Sequence, residues 1–305
     1  MSFTQAAAPL SVPTLSATLA GALILLGLGH YRQRETQISS DGDRYLRMGG
    51  GIAVPYPFMF RWLVPRLCAT SVRRWRVCTD LHLLALPVLT TGYVQQAGVR
   101  GGSAVVGGLL ICGFSGIWRN NLRRPVLVDP PALTWALVAA MLAQAGSWPA
   151  AILAALLAAC MKETAPVFAA CFAMSPVLLL ALLAPLARRL VAAGGEDTHH
   201  SRALSDPLGW SREQHAERVF DPVLMLLPWG VGLMALRATD GRVVTVLVLA
   251  LVAGYGQLVT AGNTVRLYQW AGPAVALAAA SALPSGWQAV ALAAHLFNPW
   301  AGDGR

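Results

Sequence analysis

The chain has 305 residues, of which 56% are hydrophobic and only 12% charged, with a formal net charge of +9. Soluble domains carry about 25% charged residues, so water-soluble enzyme folds, disordered chains and coiled coils are excluded, and a nucleic-acid reader with them. The mean hydropathy of +0.55 and the placement of basic residues in short stretches between apolar blocks point to a polytopic membrane protein.

A spanning helix needs about 20 mostly apolar residues. The first block is 12–30; no Lys or Arg precedes it and no small-x-small site follows, so it reads as a retained helix, not a cleaved signal. A polar stretch, 31–79, comes next. Apolar blocks follow at 80–97, 103–118, 131–146, 148–161, 165–187, 221–238, 242–261 and 269–297. The last is one long span or a tight pair broken near Pro284-Ser285-Gly286. The expected fold is an all-α polytopic transmembrane helix bundle of about nine spans (roughly eight to ten), one integral membrane domain over 1–305. Several blocks are short, as tilted spans or half-helices would be.

Two stretches between blocks are long. The 31–79 stretch holds nine arginines and the aromatic run Val54–Pro65, which suits an interfacial helix. The 188–220 stretch is polar. Arg188 and Arg189 place it in the cytoplasm, and counting spans back then places 31–79 outside. The arginines of 31–79 argue the reverse. The expectation adopted is an extracytoplasmic 31–79 and a cytoplasmic 188–220.

Ionisable residues at membrane depth are costly and mark functional candidates. Lys162-Glu163 lies between two apolar blocks; it fits a lysine aimed at a lipid phosphate with Glu163 orienting it, or a tight turn with the lysine snorkelling. Asp41 and Asp43 near the first block can take a proton from a hydroxyl or help hold a divalent cation, or can be solvated turn residues. Arg61 among aromatics suits an anionic headgroup, or cation–π packing alone. Asp129 precedes Pro130-Pro131 as a helix cap would. Cys68, Cys78, Cys112, Cys160 and Cys171 show no C-x-x-C spacing, and His199-His200 with Glu196 and Asp197 reads as a solvated loop. No H-E-x-x-H, G-x-S-x-G or P-loop is present, so hydrolase and ATPase mechanisms have no support.

Taken in order, the pieces form a series. Asp41 to Tyr45 is followed by Met48-Gly49-Gly50-Gly51, then by Pro57-Phe58-Met59-Phe60-Arg61-Trp62-Leu63-Val64-Pro65. Arg124 to Pro130, Lys162-Glu163-Thr164 and Asn263 to Pro273 complete it. The series resembles bacterial polytopic proteins related to the GT-C glycosyltransferase superfamily, over roughly 40–275. The resemblance implies a polyprenyl-phosphate-linked sugar as donor. It implies Asp41 or Asp43 as the base on an acceptor hydroxyl, and Arg61 and Lys162 on the donor phosphate with Glu163 orienting Lys162. Tyr45 and Asp129 would line the same cavity. The acceptor would be a lipid-linked glycan, a cell-wall polymer or a protein, and the location the bacterial inner membrane. Arg266 falls on the opposite face by the span count and is left out of the phosphate set. The chain is short for this superfamily and has no evident soluble domain. Two other classes compete: a transporter or lipid flippase with Lys162, Glu163 and Asp129 as an intramembrane charge relay, and a non-enzymatic scaffold subunit.

Overall fold

The computed structural model describes residues 10–33, 35–55, 57–191, 205–215, 225–259, 264–284 and 286–297. Among these residues the chain is helical and contains no strand, as expected for an all-α fold. Helix α1 (Val12–Arg32) carries Pro13 in its first turn, where a missing N–H leaves no bond unmade. Only Thr18, Ala22 and Leu26 are buried, an i, i+4, i+8 stripe. Leu19, Leu23, Ile24 and Leu28 stand exposed beside it. An apolar helix buried along one stripe needs an apolar covering elsewhere.

The 31–79 stretch is largely helical. It contains α2 (Ser40–Gly49), a 3-10 turn (Phe58–Phe60) and α3 (Leu63–Cys68). Helix α4 (Val72–Gln96) begins well before the expected 80. Ser71 caps it by accepting from Arg74 N at 3.3 Å, and arginines fill its first turns, which hydropathy alone reads as loop. Helix α4 crosses α1 and α5 (Gly101–Leu110) where the Thr18 and Thr91 hydroxyls hydrogen-bond at 2.9 Å. A Cβ at Gly108 would collide with the Thr91 hydroxyl and the Pro87 carbonyl, so this close crossing requires glycine.

A 3-10 turn (Ile111–Gly113) and α6 (Arg119–Arg123) follow, so the expected 103–118 block is shorter than its apolar run. Helices α7 (Asp129–Gln144) and α8 (Trp148–Met161) form a hairpin whose buried face is mostly alanine, which lets the two backbones approach. Helix α9 (Ala165–Ala173) ends at Met174, which is left-handed at φ 50°. The chain reverses there and returns through a 3-10 stretch (Pro176–Leu182) and α10 (Leu183–Val191). Then come α11 (Pro207–His215) and a 3-10 stretch (Leu227–Arg237) interrupted at Gly230. Asp240 caps α12 (Gly241–Gly256) by accepting from Arg242 N and Val243 N, both at 2.9 Å. Helix α13 (Thr264–Tyr268) leads to α14 (Gly272–Ala282), which is buried on every side from Gly272 to Ala280. Helix α15 (Gln288–Leu296) comes last. The 269–297 block is thus a broken pair.

The passes run between two ends. At one end, Trp75 of α4 stacks on Tyr45 of α2 at 5.9 Å, and Thr79 Oγ1 donates to Pro125 O at 2.7 Å. At the other, Gln144 Nε2 and Tyr93 OH both donate to Phe172 O, and Gln288 of α15 reaches Ser103 of α5. The reversal at Met174 divides the 165–187 block read as one span; the signal for it was Ser175-Pro176, a Ser-Pro step that disfavours helix at the residue before the proline. It brings Arg188 Nε to Met59 O at 2.8 Å and its guanidinium over Trp62 at 5.6 Å. Arg188 therefore sits at the same end as the 31–79 stretch, not opposite it.

Among the described residues two helices, α1 and α4, are long and apolar enough to cross a membrane. Others are apolar but shorter. At about 1.5 Å per residue, the 16 residues of α7 and the 14 of α8 rise about 24 and 21 Å, against about 30 Å of bilayer hydrocarbon.

Candidate functional site

Helix α2 places Asp41 and Tyr45 four residues apart, on one face. Asp43, two residues on, points away and is exposed. Asp43 therefore does not share the site expected for it, and Asp41 and Asp43 cannot present a joint carboxylate pair to a cation. The physical reason is the helix itself: the Gly-containing turn expected at 41–45 is an α-helix, and i, i+2 positions diverge.

Arg61 follows the Phe58–Phe60 turn and is buried. Its Nε donates to Glu163 Oε2 at 2.8 Å, its Nη2 to Glu163 Oε1 at 2.5 Å and its Nη1 to Tyr45 OH at 2.9 Å. The whole guanidinium fork is engaged. Glu163 and Lys162 occupy the junction between α8 and α9, with Lys162 extended at φ −156°, ψ 126°. That extended residue sends the two side chains apart: Glu163 to Arg61, Lys162 Nζ to Asp129 Oδ1 at 2.6 Å. Asp129 opens α7, where Pro130 and Pro131 are tolerated in the first turn. Trp270 Nε1 also donates to Asp129 Oδ1, at 3.1 Å, and its ring lies 4.5 Å from Lys162 Nζ.

Arg266 of α13 closes the arrangement. Its Nη2 donates to Asp41 Oδ2 at 2.9 Å, and its Nε lies 3.6 Å from Asp129 Oδ2. The result is a ring of alternating charge made of two contact chains, Asp41–Arg266–Asp129–Lys162 and Glu163–Arg61–Tyr45, and closed only through backbone, at Lys162-Glu163 and along α2 from Tyr45 to Asp41. Three carboxylates face three cations. Asp129 and Lys162 are deep, at 6% and 3% side-chain exposure, while Asp41 and Glu163 each keep 23%. Asp41 Oδ1 accepts no hydrogen bond among the described residues.

The electrostatics follow from this placement. Burial works to raise the Asp41 carboxyl, but the Arg266 guanidinium outweighs it and holds Asp41 below the usual carboxylate range. Burial likewise raises Glu163, and Arg61 outweighs it in turn. Lys162 goes the other way. Burial lowers it, Asp129 pulls it back, and Arg266 and Arg61 press it down again, leaving it below the ordinary lysine value.

Five stretches far apart in sequence thus meet at one end of the bundle. Asp41, Tyr45, Arg61, Asp129, Lys162 and Glu163 are brought together, and Asp43 is not. Arg266 was left out on span parity; the additional reversal at Met174 restores it to the site end. Trp270 carried no sequence signal beyond its place before the Gly272-Pro273 helix start. Asn263 and the His199-His200 pair lie outside the described residues. Among the described residues, no group of three His, Cys, Asp or Glu is placed to hold a metal ion. Comparison with protein families, curated proteins and solved structures gives no match for this chain.

Proposed function

We propose that this chain is an integral protein of the bacterial cytoplasmic membrane, a GT-C-like bundle of about nine spans, some of them short. In this reading it moves a sugar from a polyprenyl-phosphate donor to a lipid-linked glycan, cell-wall polymer or protein. The exposed apolar face of α1 supports the membrane placement. The observation that carries the site is Asp41 Oδ1: an ionised, partly exposed carboxylate oxygen with no partner among the described residues, anchored through its other oxygen to Arg266.

The chemistry is a single displacement. The acceptor oxygen bonds to the anomeric carbon as the bond from that carbon to the donor phosphate oxygen breaks. The electron pair leaves on the phosphate, and the acceptor proton passes to Asp41. Negative charge grows on the leaving phosphate, and the cations of the site that can stabilise it are Arg266, which already touches Asp41, with Lys162 and Arg61 behind it. The ring is charge-balanced before substrate arrives, so protonation of Asp41 offsets part of the charge the donor brings.

Asp41→Asn tests the reading in membranes supplied with a panel of polyprenyl-phosphate hexoses. Transfer should fall by about 10²-fold or more, with the protein still inserted and folded. Transfer at the parental rate would remove Asp41 from the mechanism. Lys162→Ala should raise the donor concentration needed, read on the protein that stays folded, because the same change strips buried Asp129 of its counter-charge. If neither variant alters the protein's cellular role, the scaffold reading takes over.

A second reading has its own support. The arginines of α2, α3, α6, α10 and the start of α4 all lie at the site end, whereas Arg100, Arg237 and Arg242 mark the other. By the positive-inside rule that favours a cytoplasmic site end. A neutral, buried ring of alternating charge at that end suits a charge-relay transporter. Substrate uptake into proteoliposomes driven by a proton gradient, and lost in Asp129→Asn, would favour it.

A further inference from the structure

A cavity separate from the charged ring lies at the same end of the bundle. It has a volume of about 440 Å³, within the size range of small-molecule sites. Its walls are the last turns of α1, the 3-10 turn Ile111–Gly113, the 115–122 segment and the C-terminus of α15. Two arginines, Arg32 and Arg119, line it, and no acidic residue does. Both arginines are exposed, and neither guanidinium makes an ion pair or hydrogen bond among the described residues. Ser115 also lines the cavity and is 4% exposed, and its hydroxyl has no hydrogen-bond partner among the described residues. The remaining wall is apolar. Leu28 and Phe297 stand at its edge, half or more exposed, and Leu28 continues into the exposed apolar face of α1.

This combination defines the occupant by chemistry. Two free guanidinium groups and a buried unpaired hydroxyl suit a phosphate oxyanion. An apolar wall that runs onto an uncovered apolar helix suits hydrocarbon chains. We propose that the cavity binds the headgroup of an anionic phospholipid, with the acyl chains laid along α1. The site does not depend on the sugar-transfer reading. It does adjoin the ring: Ser115 is followed by Gly116, where a Cβ would sit 2.7 Å from Val265 O and 2.8 Å from Arg266 Cα. A single residue of backbone therefore separates the lipid headgroup from the arginine that holds Asp41.

The test is lipid binding to the purified full chain in detergent, followed by native mass spectrometry. Dioleoyl phosphatidylglycerol, dioleoyl phosphatidylcholine and inorganic phosphate are titrated separately. Phosphatidylglycerol should bind about tenfold or more tightly than phosphatidylcholine, and the Arg32→Gln/Arg119→Gln pair should remove that preference. A control pair at the same end, Arg47→Gln/Arg73→Gln, should change it less than about twofold, since neither residue lines the cavity. The arginines concerned are exposed, so the variants should fold; an unchanged melting temperature without lipid checks this. Equal affinity for the two lipids, or a preference unmoved in Arg32→Gln/Arg119→Gln, would overturn the proposal. Inorganic phosphate binding as tightly as phosphatidylglycerol would overturn the lipid assignment and leave a soluble-anion site.

Discussion

At the end of the bundle that holds Asp41, the chain spends whole segments on short helices and turns between the long passes: α2, the Phe58–Phe60 turn, α3, α6 and α13. At the opposite end it turns round as briefly as it can. Gly98, Gly146 and Met174 take positive φ at three of those turns, and Asp240 caps the next helix directly. One end is built to return the chain, the other to assemble charges. The teaching point is that helix packing here is a scaffold held by small residues, on which ionic chemistry is confined to one rim. The ion pairs among the described residues lie at that rim, and among the described residues Arg100, Arg237 and Arg242 at the far rim make none.

Substitutions can break or sharpen this contrast. The largest effect should come from Lys162→Ala, which leaves Asp129 buried with a lost counter-charge and should cost about 3–5 kcal/mol, read as a lowered melting temperature in detergent. Adding Asp129→Leu to it should recover much of that loss, because the pair then goes out together. Arg61→Lys comes next. A lysine cannot serve Glu163 and Tyr45 with one planar fork, and about 2 kcal/mol should go. If Arg61→Lys melts like the parent, the fork is decorative and the ring is not cooperative.

Acid should act on the same rim. The folded values of Asp41 and Glu163 lie below their unfolded ones, so their stabilisation is full above the unfolded pKa and is lost as pH falls through the folded one. The share of the melting temperature that Asp41 and Glu163 supply, read as the parent minus the Asp41→Asn or Glu163→Gln variant, should therefore hold from neutral pH to about 5 and fall below about 4. A melting temperature that rises on acidification would contradict the assigned ion pairs. At the far rim, Gly146→Ala should cost about 1 kcal/mol through its φ of +79°. The smallest change belongs to Arg242→Gln there, an exposed residue that should shift stability by less than about 0.5 kcal/mol.

Much of the site was legible in the sequence because each member broke an apolar context or sat in an ordered series of motifs. Lys162 and Glu163 had no polar neighbours to explain them, and Asp129, Arg61, Asp41 and Tyr45 came with their motifs. What hydropathy could not show was geometry inside a uniform run. Hydropathy carries 165–187 through as one block, yet Ser175-Pro176 follows Met174, and the left-handed backbone of Met174 reverses the chain just before that step. That one reversal changes the parity of every later pass, and so misplaced Arg188 and Arg266. Asp43 failed for the opposite reason. A charged residue in a polar stretch looked as good as its neighbour, and only the helical period of α2 separates the two. The cavity beneath Arg32 and Arg119 was hidden because it depends on α1, α6 and α15 meeting, with no local pattern to announce it.

The central claim is that Asp41 works at an extracytoplasmic rim on a phosphate-linked donor. Cys68 is buried and a poor reporter of that rim, whereas Asp43 is exposed and stands on the same short helix as Asp41. An Asp43→Cys variant in intact cells, treated with a membrane-impermeant maleimide and compared with the parent, reads the sidedness directly. Labelling in intact cells above the parental background is the result the account predicts. Labelling that appears only after lysis would place the ring in the cytoplasm, contradict the transferase, and leave the charge-relay transporter as the leading account.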